Sequence, residues 1–459
     1  MTGNTTTTSG ALNAGDDEYP SLLRANYALG LLFVTYLLSF LDRQVLTLLV
    51  GPIREQFGLS DFQFSLLQGA AFAVTYTIAG IPLGRLADRY SRRWIIAGSI
   101  FSWSVMTCAC GWARSYGQLL VARMGVGIGE AGLSPAAYSI ITDSYRPDHM
   151  RYALSFYKMA VTVGGGLALV VGGMIYDFYL AQPTIDWPVF GSIRPWQATL
   201  ITVGLPGILL CLFMGTIHEP SRKGLAMANS STEDQPNSFP FMDVIRFLWA
   251  RRRLYGLLFL GSSFLSIANY GSSAWYPEML VRNYGLSKSE AGSAFGMIYL
   301  VAGTLGVMAG PFLASRIQSA GYADANVRTV LIGSIVAIVP ATLAPLMGSA
   351  EATFYVLWPT VFVSMSYLGI MAVSFQLITP NEMRGQTTAI YIFVTNIMGM
   401  AVGTSVLAGF TDFFFQDDLA LPYSIAAVNA IFYPLAALLF WYCLPAYRSS
   451  LAEAGSWKL

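Results

Sequence analysis

Tyr27-Ala28-Leu29-Gly30-Leu31-Leu32-Phe33-Val34-Thr35-Tyr36-Leu37-Leu38-Ser39-Phe40-Leu41-Asp42-Arg43-Gln44-Val45-Leu46-Thr47-Leu48-Leu49-Val50 is a run of 24 residues whose only charges are the adjacent pair Asp42 and Arg43. At about 1.5 Å per residue, a helix of this length crosses a hydrocarbon core of about 30 Å. A charge at that depth costs about 2.5–3.5 kcal/mol on insertion scales. The pair therefore needs partners or water, and the run predicts a polar site inside a membrane bundle.

Composition agrees. Of 459 residues, 55% are hydrophobic and only 11% charged, with a mean hydropathy of +0.54. A soluble domain carries about 25% charged residues. The net charge of +1 gives no reason to expect a nucleic-acid partner. Residues 1–25 open with a Thr-rich stretch containing Asp16, Asp17 and Glu18, and read as a disordered cytoplasmic tail with no signal peptide. Cys108 and Cys110, two apart, point to different sides of a helix. They, Cys211 and Cys443 are expected to be reduced packing residues.

Twelve spans are expected, near 27–50, 63–85, 94–113, 117–140, 152–176, 196–217, 254–277, 290–314, 328–348, 353–378, 386–410 and 422–444. Of 26 basic residues, only Arg54, Arg114, Arg194, Arg282 and Lys288 fall in the outer loops, and Arg43, Arg123 and Lys158 fall within spans. The rest face the cytoplasm if both termini do, which the positive-inside rule favours. The expected plan is an all-α membrane protein of 12 transmembrane helices in two six-helix halves, 26–217 and 254–447. A cytoplasmic loop, 218–253, separates them, and a tail, 448–459, ends the chain. In that loop Phe241, Val244, Ile245 and Leu248 recur at helical spacing beside Arg246 and Arg251 to Arg253, predicting an amphipathic interfacial helix.

The halves carry a weak repeat at an offset of 227. It maps Phe57-Gly58-Leu59-Ser60 onto Tyr284-Gly285-Leu286-Ser287, and Asp42-Arg43 onto Asn269-Tyr270. Parallel repeats of six spans are a known transporter architecture.

Between spans two and three runs Gly84-Arg85-Leu86-Ala87-Asp88-Arg89-Tyr90-Ser91-Arg92-Arg93. Gly84 would allow close helix approach. The order of residues resembles the loop signature of the major facilitator superfamily, with Ser91 in place of its second glycine. The resemblance implies a cytoplasmic latch between the halves at Asp88 and Arg89, with Arg92 and Arg93. Tyr36 to Arg43, and Arg123-Met124-Gly125-Val126-Gly127-Ile128-Gly129-Glu130-Ala131, are similar to the first and fourth spans of its spinster-like branch. That branch implies a lysolipid or sphingoid-phosphate cargo.

Depth follows from spacing. Asp42 lies about 22 Å above the cytoplasmic start of its span, and Arg123 about 9 Å below the outer start of span four. They reach nearly one level. Glu130 is seven residues beyond Arg123 on the same helix face. Two levels are expected: Asp42, Arg43 and Arg123 above, Glu130 and Lys158 below. Burial favours a neutral carboxyl and a nearby arginine a charged one. Moving either with a transport cycle would load and release a proton, so Asp42 and Glu130 are the coupling candidates. Arg43, Arg123 and Lys158 are candidates for an anionic head group. The glycines of spans four and five, among them Gly125, Gly129, Gly166 and Gly173, permit close and slidable helix contact.

The second half offers no confident intramembrane charge. Asn269, Tyr270, Tyr367 and Asn396, among Phe, Met and Leu, complete the substrate candidates. A charged half facing an apolar one suits an amphipathic anion. The expectation is a proton-coupled secondary carrier of such a cargo, monomeric, in the cell inner membrane among lipids. Uptake of a small organic acid is the nearest alternative, ahead of a lipid-regulated channel or sensor. No cofactor or metal cage is expected, and no nucleophile–base cluster that would make an enzyme. His149 and His218 fall in cytoplasmic loops, away from any proton relay.

Overall fold

The computed structural model describes residues 19–181, 185–187, 191–222 and 240–456. Most of the expected N-terminal tail, and residues 223–239 of the central loop, lie outside the described residues.

The first half contains α1 (Leu22–Leu48), α2 (Val50–Phe57), α3 (Asp61–Arg89), α4 (Arg92–Trp112), α5 (Tyr116–Glu130), α6 (Leu133–Ser144), α7 (Pro147–Leu180) and α8 (Pro195–Thr216). A small antiparallel hairpin, β1 (Ile185–Trp187) and β2 (Gly191–Ile193), joins α7 to α8. The second half contains α9 (Phe241–Ala250), α10 (Arg252–Tyr284), α11 (Lys288–Ser319), α12 (Ala325–Leu346), α13 (Ala350–Leu377), α14 (Asn381–Phe415) and α15 (Leu421–Ser456).

Among the described residues, 10 helices are long and apolar enough to cross a membrane by length and composition. The expected spans at 117–140 and 254–277 fall outside that set. The first breaks into α5 and α6 at Ala131-Gly132, where a Cβ on Gly132 would collide with the Ser99 hydroxyl of α4. The second is one helix of 33 residues, made more polar by Ser262, Ser263, Ser266, Asn269, Ser272 and Ser273.

The repeat is visible in the backbone. Gly58 and Gly285 end their helices at φ +63° and +70°, the left-handed cap that favours glycine. Two residues on, Ser60 and Ser287 open the next helices with capping boxes to Gln63 and Glu290. Each four-residue match is thus one complete helix-to-helix turn.

The halves meet along a seam of small residues. On α7 and α11, a Cβ on Gly166 would lie 2.6 Å from the Gly296 carbonyl, and one on Gly296 2.6 Å from the Gly166 carbonyl. On α3 and α14, a Cβ on Gly69 would collide with the Met400 carbonyl. Four π-helical turns, Leu66–Ala70, Tyr299–Gly303, Ile397–Gly403 and Phe410–Phe415, occur on these helices, where the wide turn re-aims side chains.

The central-loop helix forms as α9. Val244 and Leu248 bury against the second half, while Phe241, Met242 and Trp249 stay exposed. Two boundaries shift. α1 starts at Leu22 with Ala25 already buried. The expected tail from 448 continues as helix through Ser456, where Arg448 bonds Asp324 (2.6 Å) and Glu453 pairs with Arg251 (2.5 Å). All four cysteines are free thiols.

Candidate functional site

Arg43 on α1 reaches across to Glu130 at the end of α5. Its Nη2 lies 2.5 Å and its Nε 2.6 Å from Glu130 Oε2, and the Glu130 side chain is fully buried. The rings of Phe40, Phe72 and Tyr76 stand 4.7–5.1 Å from the guanidinium, favourable for a cation. The two levels read from spacing are therefore corrected. Glu130 pairs with Arg43, whose long side chain covers the intervening turn, and not with Lys158. Lys158 is exposed, four residues and one turn from Thr162, which bonds Thr304 of the other half at 3.0 Å.

Adjacent helix residues point about 100° apart, so Asp42 faces away from Arg43. It is 2% exposed, beside Trp103 and Thr107 of α4, and its Oδ1 has no hydrogen-bond partner among the described residues. Arg123, equally buried, donates from Nη1 to the Asp42 backbone carbonyl at 3.3 Å, and its Nε is unpaired. The site combines one closed ion pair with an acid and a guanidinium that are incompletely satisfied.

A cavity of about 70 Å³ opens beside them. Phe40, Arg43, Gln44, Thr47, Gln68, Gly69, Phe72 and Arg123 line it from the first half, and Tyr270, Ser273, Ala274, Met400 and Thr404 from the second. It brings Arg43, Arg123 and Tyr270 together. Asn269 instead donates to the Ser364 carbonyl (3.3 Å) and lines a second cavity of about 30 Å³, with Ser272, Thr360 and Asn429. Tyr367 is buried with an unpaired hydroxyl and Asn396 half-buried; neither lines these cavities. Sequence reasoning missed Gln44, Thr47, Gln68, Ser273 and Thr404. Neutral amides and hydroxyls recur in every span, and none carries the insertion cost that marks a charge.

The two ends of the bundle differ. At the expected cytoplasmic end, Asp88 and Arg89 are exposed and make no ion pair with described residues. A Cβ on Gly84 would sit 4.0 Å from Pro135, so this approach is not tight. Arg92 is buried and bonds Asp143, Glu219 and Ser139, and Arg93 donates to the Ile217 carbonyl at 3.2 Å. Both tie α4 to its own half, and Arg92 ties it also to the start of the central loop. Burial pushes the Glu219 carboxyl up, but hydrogen bonds from the Ser91 hydroxyl and Arg92 outweigh it and hold it below its usual range.

At the expected outer end the halves are clamped. Arg282 bonds Asp61 at 2.9 and 3.1 Å, while Arg54 lies 3.0 Å from Asp61 and bonds Asp418 twice at 3.1 Å. Asp412 accepts from the Phe62 N–H (2.6 Å), and within the second half Lys288 bonds Glu278 (2.9 Å). The sequence showed Arg54 and Arg282 only as outer-loop charges, because their partners in the other half, Asp418 and Asp61, lie hundreds of residues away.

A charged cavity at a seam between repeated helical halves is a carrier's architecture, and sequence comparison gives the family. Residues 32–404 match the family model described as the Major Facilitator Superfamily. The chain belongs to the major facilitator superfamily. Among its relatives, an MFS-type efflux pump of Mycolicibacterium smegmatis (strain ATCC 700084 / mc(2)155) is 26% identical over 443 residues, covering 94% of this chain and 95% of that one. Protein spinster homolog 1 of Homo sapiens is 27% identical over 390 residues, covering 81% and 70%. The crystal structure of a bacterial homolog to the human lysosomal transporter Spinster, inward-facing and unoccupied, superposes with a TM-score of 0.72 at 26% identity, covering 95% and 98%. The spinster resemblance of spans one and four thus extends along most of the chain. This superfamily member is a multi-pass membrane transporter, not an enzyme.

Proposed function

We propose that the chain is a proton-coupled secondary carrier that moves an amphipathic organic anion, such as a lysolipid or sphingoid phosphate, by alternating access. In this reading twelve spans cross the cell inner membrane with both termini cytoplasmic, and a monomer rocks its halves about the glycine seam. A clamped outer end, with Asp88 and Arg89 in no ion pair among the described residues, fits the inward-facing state in this reading. Engagement of Gly84, Asp88, Arg89, Arg92 and Arg93 belongs to the opposite one.

One observation carries the reading: buried Asp42, with an unpaired oxygen, sits beside the Arg43–Glu130 pair and a cavity shared by both halves. An anionic head group entering between Arg43 and Arg123 competes with Glu130 for Arg43. A carboxylate that loses its cation in a low-dielectric site takes up a proton. Asp42 and Glu130 thereby carry protons in step with cargo. Lys158, exposed one turn below the seam, meets the anion on its way in. Tyr270 contacts it from the second half, and Asn269, Tyr367 and Asn396 shape that half's wall.

The test is uptake of a labelled lysolipid into proteoliposomes under an imposed pH gradient, with Asp42→Asn in parallel. Gradient-driven movement lost in Asp42→Asn is expected. Movement that ignores the gradient, or persists in Asp42→Asn, overturns the coupling. A second reading, transport of a small organic acid, draws on the cavity's volume of about 70 Å³, too small for an acyl tail in this conformation. Competition by short carboxylates, with no movement of any lipid, would favour it.

A further inference from the structure

Gln68 on α3 is 7% exposed, lines the cavity of Arg43 and Arg123, and has no hydrogen-bond partner for either Oε1 or Nε2 among the described residues. Its position is fixed on both sides. It sits within the π-helical turn Leu66–Ala70, and the next residue, Gly69, packs so closely on the Met400 carbonyl that the turn cannot roll away. A buried amide with donor and acceptor both idle is costly unless something occupies the space before it.

The chemistry around it is one-sided. Guanidinium groups only donate, so Arg43 and Arg123 recognise the oxygens of an anion and nothing else. The Gln68 amide oxygen adds an acceptor buried in the same cavity, which repels an anionic oxygen and attracts an O–H. Its NH₂ can donate to that same hydroxyl oxygen. We infer that Gln68 is a specificity-determining residue which reads a hydroxyl beside the anionic group, so that the cargo is a hydroxyl-bearing organic anion. The inference rests on the proposed anion-carrier reading and narrows its substrate class.

Proteoliposome uptake would be compared for two probes of equal chain length: a monoacyl glycerol phosphate with its free hydroxyl, and the matched deoxy compound. The wild type is expected to show a kcat/KM about tenfold higher for the hydroxyl compound, the worth of one neutral hydrogen bond that would otherwise leave a buried group unpaired. In Gln68→Met, of similar shape, that ratio falls towards unity. Equal rates for both probes in the wild type overturn the inference while leaving the carrier reading intact. So does a preference that survives in Gln68→Met. Movement of neither probe overturns the amphipathic-anion reading and this inference with it. Because wild-type selectivity is decisive by itself, a Gln68→Met protein that fails to fold does not shelter the idea.

Discussion

The Glu130 carboxylate, fully buried at the end of α5, is held by the Arg43 guanidinium of α1 through two nitrogens at 2.5 and 2.6 Å. This is the charge arrangement that the cost of burying Arg43 required. It leaves Asp42, the neighbouring residue, without that partner.

Removing one member of a buried pair strands the other, at about 3–5 kcal/mol. Glu130→Gln and Arg43→Gln should each lower the unfolding temperature in detergent, and the double variant should recover most of the loss. Uptake should stay abolished in all three. A double variant that transports like the wild type would reduce the pair to a structural tie.

Gly69→Ala should disfavour the described arrangement by about 1–3 kcal/mol, since its Cβ has no room against the Met400 carbonyl. Gly80, on the same helix with no atom within 4 Å, is the control. Gly80→Ala should be neutral or up to about 1 kcal/mol stabilising. Thermal melts of the two variants, alongside uptake, decide it.

Asp61 receives Arg282 and Arg54 together at the junction of the halves. Asp61→Asn should loosen that end. Spin labels on exposed Glu55 and Gln416, one in each half, should then report a larger share of long distances. An unchanged distance distribution would show that the remaining contacts suffice to close it.

Asp324, just ahead of α12, is pushed up by burial, but hydrogen bonds and charge from Arg328 and Arg448 prevail and hold it below its usual range. A depressed carboxyl stabilises the fold fully above its unfolded value, about 4, and the contribution fades as pH falls through the folded value. Asp324→Asn should therefore melt below the wild type at neutral pH, with the gap closing under strong acid. Glu219→Gln should behave alike, because its carboxyl is also held low. A gap that stays constant on acidification would rule out the pairing as its source.

The sequence by itself determined the class of molecule and its symmetry. Apolar run lengths measured against a bilayer are local properties, and so are the Gly-to-Ser turns at Gly58 and Gly285. The buried charges of α1 and α5 were legible too, because few functions justify their insertion cost. What only the tertiary structure decided was who meets whom. Depth counted along each span put Glu130 level with Lys158, yet the reach of the Arg43 side chain from α1 gave it Arg43. The clamp from Asp61 to Arg282 and Asp418, and the amide of Gln68 in the cavity, join or face residues hundreds of positions apart. Such contacts depend on how helices pack across the seam, and no periodicity within a single helix encodes them.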